Sequence, residues 1–120
     1  STRTFPYGSG FEDYKPGTCN GADRDGLPDP DIDHLLNATG SLTECVSEDG
    51  VFDLSGNAKE WTEDPRGDTG PPASTPIHVT RGGSAESPRF GLTCQTDLSR
   101  AQADSVLPFL GFRCCRSTPP

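Results

Sequence analysis

Residues 53–65 read DLSGNAKEWTEDP, a stretch that fits neither the two-residue period of a strand nor the 3.6-residue period of a helix. Gly56-Asn57 marks a turn, Asp53 and Glu60 stand on either side of it, and the chain's only tryptophan, Trp61, directly follows the glutamate. Neighbouring side chains of an extended segment point to opposite sides, so Glu60 can face a cation or water while Trp61 faces a core. The stretch is an acid–base site, a metal loop or a structural corner, and the rest of the chain has to choose between them.

The 120 residues suffice for one domain. Only 30% are hydrophobic, and 14 glycines and 12 prolines break up regular elements, which leaves a modest core and many loops. Such chains lean on disulfides, metals or a partner surface. The five cysteines, Cys19, Cys45, Cys94, Cys114 and Cys115, lack the paired CxxC or His spacing of a structural zinc site. In a loop-rich chain without methionine they point to disulfides and an oxidising compartment: secreted, cell-surface or periplasmic. Their odd number leaves one over, as a free thiol or a bridge to something outside the chain. The adjacent Cys114 and Cys115 are expected to face opposite ways and find different partners. A net charge of −8 speaks against nucleic acid, and no apolar run is long enough for a membrane helix. The sequence starts at Ser1 without a signal peptide, so secretion is inferred from the cysteines alone.

Outward from the opening stretch, Gly50 to Leu54 reads as a short strand or corner. FPYGSG, within Ser1 to Gly10, reads as a strand end or turn. Asp13 to Thr43 is polar and acidic, a long loop that a bound cation would order. Glu63 to Pro76 reads as an exposed, mobile Pro/Gly loop. IHVTRGGS, Ile77 to Ser84, is a strand closed by two glycines. FGLTCQTD is expected to be a second strand with Leu92 and Cys94 on one face. Ser99 to Val106 is expected to form one helical turn capped by Ser99, FLGFRCCRS a buried closing strand, and STPP an exposed tail.

GVFDLSGNAKEWTED, then VTRGGS, then LGFRC, in that order and spacing, resemble the C-terminal half of the formylglycine-generating enzyme (sulfatase-modifying factor) family. FPYGSG is similar to the YPWG element that precedes them there. The resemblance implies an α+β, C-type-lectin-like domain, mostly irregular with small antiparallel sheets. Residues 1–120 are then a single shortened domain or the C-terminal portion of a larger one, paired with a missing half. It also implies a nearness of the RGGS and GFR strands, and hence a bridge from Cys94 to Cys114 or Cys115. Cys19 and Cys45, which bracket the acidic loop, are expected to pair with each other.

Active members of that family are copper-dependent oxidases with two cysteines shortly after RGGS, since Cu(I) favours thiolates. Here those positions hold Ser87 and Leu92, so the resemblance implies a scaffold without the oxidase chemistry. Calcium-binding members use the corner itself. Carried over, the ligands are Asp53, the carbonyls of Gly56 and Ala58, and Glu60, the mixture of hard oxygens that calcium prefers. A second site would use Asn20, the Gly21 carbonyl and Asp33. His34 and His78 have no carboxylate at facial-triad spacing. Glu60 and Asp64 could be an acid–base pair but are more ordinarily solvated. Arg66-Gly67-Asp68 is by default a chance tripeptide, and Asn37-Ala38-Thr39 a formal glycosylation acceptor.

The expectation is therefore a non-catalytic, calcium-stabilised, disulfide-bonded extracellular binding or structural module. Its partner would be a protein or glycan ligand, its own missing half, or further copies in an assembly. The competing expectations are a metal-dependent oxidase acting with a missing N-terminal half, and a filament or matrix subunit.

Overall fold

The computed structural model describes residues 3–23, 36–96 and 99–117. Its regular structure is one four-stranded sheet in the order β3-β2-β1-β4, with β1 at Lys59–Asp68, β2 at Pro76–Arg81, β3 at Arg100–Gln102 and β4 at Leu110–Gly111. Two 3₁₀ turns, Phe11–Asp13 and Arg89–Leu92, are the helical elements among the described residues. β1 pairs antiparallel with β2 and β2 with β3, but β4 runs parallel to β1. The sheet is thus mixed, where antiparallel sheets were expected, because the chain reaches β4 by a long return from β3 on the far edge.

β1 opens where the corner ends and carries straight through Pro65 to Asp68, so half of the expected mobile loop is strand. Pro65 has no N–H to give a ladder, and the register shifts on both sides of it, between Trp61 and Pro65 and again before Asp68. Bulges of this kind are where a strand tolerates proline. Thr62 Oγ1 donates to the Val79 carbonyl at 2.8 Å and holds the strands together across the irregular segment. β2 matches its sequence signal, and Gly82 and Gly83, both at positive φ, end it.

Two other segments differ from expectation. Within Ser99 to Val106 the chain forms β3, Arg100–Gln102, and then a turn, rather than a helical turn capped by Ser99. Thr80 donates its N–H to the Ser99 carbonyl at 2.8 Å and its hydroxyl to Ser99 Oγ at 2.6 Å, so the edge of β2 satisfies its backbone with this segment. In place of the second strand, Phe90, Gly91 and Leu92 belong to the 3₁₀ turn Arg89–Leu92, with Gly91 N–H donating to the Pro88 carbonyl at 2.8 Å. The closing strand shrinks to Leu110–Gly111, half-buried.

The core is small and unusually polar. Phe5, Cys19, Cys45, Val79, Ala85 and Leu92 are its buried apolar members, and Asn20, Asp53, Ser55, Asn57, Thr80 and Ser84 are buried among them. Val79 and Thr80 are successive yet both buried, which places the C-terminal half of β2 between two covered faces. Trp61 is only half-buried and meets His78 edge-on at 6.4 Å, so it borders the core rather than filling it. Phe5 anchors a separate aromatic cluster with Tyr7, Phe11 and Tyr14, and the Arg89 guanidinium lies 3.8 Å above the Phe11 ring.

Cys19 and Cys45 form a disulfide, as expected. Cys94 bridges neither Cys114 nor Cys115; all three thiols are free and exposed. Cys94 is tied through its N–H to the Thr4 carbonyl at 2.8 Å, whereas Cys114 and Cys115 follow β4 at the opposite edge of the sheet from β3.

Candidate functional site

Asp53, Gly56 and Asn57 all sit at positive φ, so residues 53–57 fold as a knot of tight turns and not as a strand. Asp53 is held at both ends: its N–H donates to the Cys45 carbonyl at 3.1 Å, and its Oδ2 accepts from Gly40 N–H at 2.9 Å. Gly56 donates to the Gly82 carbonyl at 2.7 Å. A Cβ on Gly56 would stand 2.6 Å from the Asn20 carbonyl oxygen, which is why glycine is needed there.

Asn57 is the hub. Its Oδ1 accepts from Asn20 Nδ2 at 3.1 Å and from Asn37 N–H at 2.8 Å, and its Nδ2 donates to the Asn37 carbonyl at 3.1 Å. Its own backbone N–H donates to the Asn20 carbonyl, and its carbonyl accepts from Ala85 N–H, both at 2.8 Å. One residue thus ties together the Cys19 segment and the Asn37 loop through its side chain, and the chain after RGGS through its backbone. A buried hydrogen-bond network of this kind specifies one arrangement of the loops where apolar area is scarce.

Beyond the hub, Asp53, Asn57, Ala58, Glu60 and Arg113 line one cavity of about 150 Å³. Arg113, just after β4, grips Glu60 with two guanidinium nitrogens; its Nε lies 2.6 Å from Oε2. The same guanidinium donates to the carbonyls of Phe52 and Asp53, each at 3.1 Å. The hydrogen bond to Glu60, reinforced by the carboxylate charges of Glu60 and Asp53, holds Arg113 even more firmly protonated than usual.

Of the residues proposed as calcium ligands, Asp53, Ala58 and Glu60 line this cavity. Gly56 does not line it, and its α-carbon packs closely against the Asn20 backbone. Asn20 is buried at the Asn57 hub, and a Cβ on Gly21 would meet Leu92 Cδ1 at 2.5 Å. Asp33 lies outside the described residues. Calcium favours hard oxygens such as these, so the donor chemistry fits, but the cation that touches Glu60 in this structure is Arg113. Among the described residues no three His, Cys, Asp or Glu side chains gather into a metal-binding group. Asn57 and Arg113 were not among the expected site residues. The Gly-Asn pair and the terminal Gly-Phe-Arg were the only traces of them in the sequence.

The two positions where copper ligands would stand are used for packing. Ser87 closes a tight turn: its Oγ accepts from Ser84 N–H at 2.8 Å, and its N–H donates to the Ser84 carbonyl at 2.9 Å. Leu92 is 1% exposed and packs against Gly21 and Gly83, while its carbonyl accepts from the Ser55 hydroxyl at 2.6 Å.

The remaining candidates are satisfied locally. His78 Nδ1 lies 3.0 Å from the Thr62 carbonyl. Asp64 and Glu60 do not form an acid–base pair, since each has its own arginine: Arg66 holds Asp64 and draws its carboxyl below the usual range, and Arg113 holds Glu60. Asp68 Oδ1 accepts from Gly70 N–H at 2.8 Å, so both charged side chains of Arg66-Gly67-Asp68 are engaged.

Among curated proteins the chain finds no match. The family model described as the sulfatase-modifying factor enzyme 1-like domain matches residues 1–118. With nearly every residue covered, and the Gly-Asn corner, the RGGS turn and the Gly-Phe-Arg end meeting around one polar hub, the chain belongs to the sulfatase-modifying factor enzyme 1-like domain family.

Proposed function

We propose that this chain is a non-catalytic, extracellular binding or structural module, a C-type-lectin-like scaffold on which the oxidase chemistry of active relatives has been replaced by packing. The observation that carries the reading is Leu92. A side chain that is 1% exposed and wedged against two glycines is a core residue, and a hydrocarbon offers no electron pair to a metal. Ser87, bound into its own turn, supplies no thiolate either. The single Cys19–Cys45 disulfide suits an oxidising compartment. Most of the chain is loop, the usual carrier of recognition on a fixed scaffold, for a protein or glycan ligand. The reading is tested with Cu(I), dioxygen and a cysteine-containing peptide. The peptide is expected to keep its mass, apart from ordinary disulfide formation, and copper-dependent conversion of its cysteine side chain by the chain overturns the reading.

Calcium belongs to the same proposal. Asp53, the carbonyls of Gly56 and Ala58, and Glu60 would hold the ion at the corner, where it would neutralise the carboxylates and stiffen the turn. Arg113 must give up Glu60 to admit it, so binding is expected to be weaker than at a site without that rival. Thermal melts in millimolar calcium and in excess chelator are expected to differ by a few degrees, the shift that binding to the folded state alone produces. Superimposable melts remove calcium from the account and leave Arg113 as the corner's counter-ion.

A further inference from the structure

Cys114 and Cys115 are exposed, reduced and adjacent, and they follow directly on Arg113, which three groups pin to the corner: Glu60, the Phe52 carbonyl and the Asp53 carbonyl. The thiols are therefore presented at a fixed place on the molecule. They sit at the border of the sheet, because β4 pairs only with β1 in the strand order. Phe112, just before them, is 75% exposed, and Val106, on the approach to β4, is 95% exposed. An apolar, unpaired sheet edge that ends in two thiols is an unusual surface to leave facing water.

Chemistry narrows the partner. Neighbouring α-carbons are about 3.8 Å apart, short of the roughly 4.4–6.8 Å that an unstrained disulfide spans, so the two thiols do not readily bridge each other. Two antiparallel extended segments, however, hold directly opposed residues at about 4.5 and 5.5 Å in alternation. Both spacings lie inside the disulfide range. An antiparallel pairing of two copies that sets Cys114 of each opposite Cys115 of the other places one bridge on each face of the ribbon, because opposed residues share a face and successive residues alternate.

We propose that Cys114 and Cys115 join two copies of this chain by a pair of interchain disulfides, with Phe112 covered at the same contact. The register brings Arg116 of one copy beside Arg113 of the other, and Glu60 already offsets the Arg113 charge. The oxidant is a small-molecule disulfide such as oxidised glutathione. A thiolate of one copy attacks it, releasing one reduced thiol and leaving a mixed disulfide. The facing thiolate of the second copy then displaces the other reduced thiol and closes the bridge. Each bridge thus takes two electrons and two protons from two cysteine thiols and turns one oxidant molecule into two thiols. The inference rests on the extracellular reading only for the supply of that oxidant.

The chain, with Cys19–Cys45 intact, is incubated in a glutathione redox buffer, quenched with N-ethylmaleimide and weighed without reduction. The expected species has twice the chain's mass less one hydrogen per bridged thiol, and its digest joins the Cys114–Cys115 peptide to a second copy of itself. Cys94→Ser is expected to dimerise unchanged, and Cys114→Ser/Cys115→Ser to stay monomeric. A monomer in which Cys94 is bridged to Cys114 or Cys115 overturns the proposal. So does a monomer carrying free, glutathionylated or mutually bridged Cys114 and Cys115, or a dimer that survives the double substitution. The peptide assay above gives its own answer whichever of these masses appears.

Discussion

Asn57→Ala is expected to cost about 5 kcal/mol of folding stability, most of what a domain of this size usually has in hand. The substitution deletes the acceptor of Asn20 Nδ2 and of Asn37 N–H and the donor to the Asn37 carbonyl. Asn20 is 1% exposed, so its amide cannot turn to water, and each buried group left unsatisfied costs roughly 1–3 kcal/mol. Alanine also tolerates the φ of 65° less well than asparagine, a further penalty of about 1 kcal/mol. Asn57→Gly removes the same hydrogen bonds without that strain and is expected to be less damaging by about the same 1 kcal/mol. Urea unfolding followed by the fluorescence of Trp61 measures both. A loss below about 1 kcal/mol for the alanine variant would mean that the hub is ornamental.

Gly56→Ala is expected to be at least as damaging, for a steric reason. The new methyl would lie 2.6 Å from the Asn20 carbonyl oxygen and 2.9 Å from its carbon. These are backbone atoms, and they cannot swing aside: the preceding residue, Cys19, is bridged to Cys45, and the Asn20 carbonyl is bound by Asn57 N–H. Forced contacts of this kind cost about 1–3 kcal/mol or more, beyond the penalty of about 1–2 kcal/mol for a methyl at positive φ. Gly50→Ala supplies the comparison, because Gly50 has nearly the same φ, 77°, with nothing near its would-be Cβ. The difference between the two alanine variants isolates the contact with Asn20. Equal losses would show that backbone strain alone matters.

The motif-bearing parts of the chain were legible in the sequence because their signals are local. Gly-Asn at positive φ, β2 ending in two glycines and the Cys19–Cys45 bracket are all written within a few neighbouring residues or a matched pair. Asp53 and Glu60 flank the same turn in the sequence and line one cavity in the fold. Arg113 was not legible, since its partner lies 53 residues away and the sequence does not say which arginine a carboxylate will meet. β3 was misread because Arg, Ala and Gln favour helices when isolated, whereas the open edge of β2 required a strand. Pro65 suggested a loop, and only the bulged register of the folded sheet shows how a strand passes through it. The cysteines near the end were expected to be inside a buried strand, and the early end of β4 leaves them exposed.

The copper positions bring these threads together, since Leu92 packs against Gly83 and against Gly21, the residue that follows Asn20 of the Asn57 hub. The most direct measurement is a competition for Cu(I) between a chromogenic chelator and the Cys114→Ser/Cys115→Ser chain, in which the exposed vicinal thiols cannot act as an unrelated copper trap. With Leu92 and Ser87 in place and Cys94 as the one remaining thiol, the chelator is expected to keep its copper at equimolar protein. A chain that withdraws one equivalent of Cu(I) from the chelator, and loses that ability on Cys94→Ser, would contradict the account and return the chain to the oxidases.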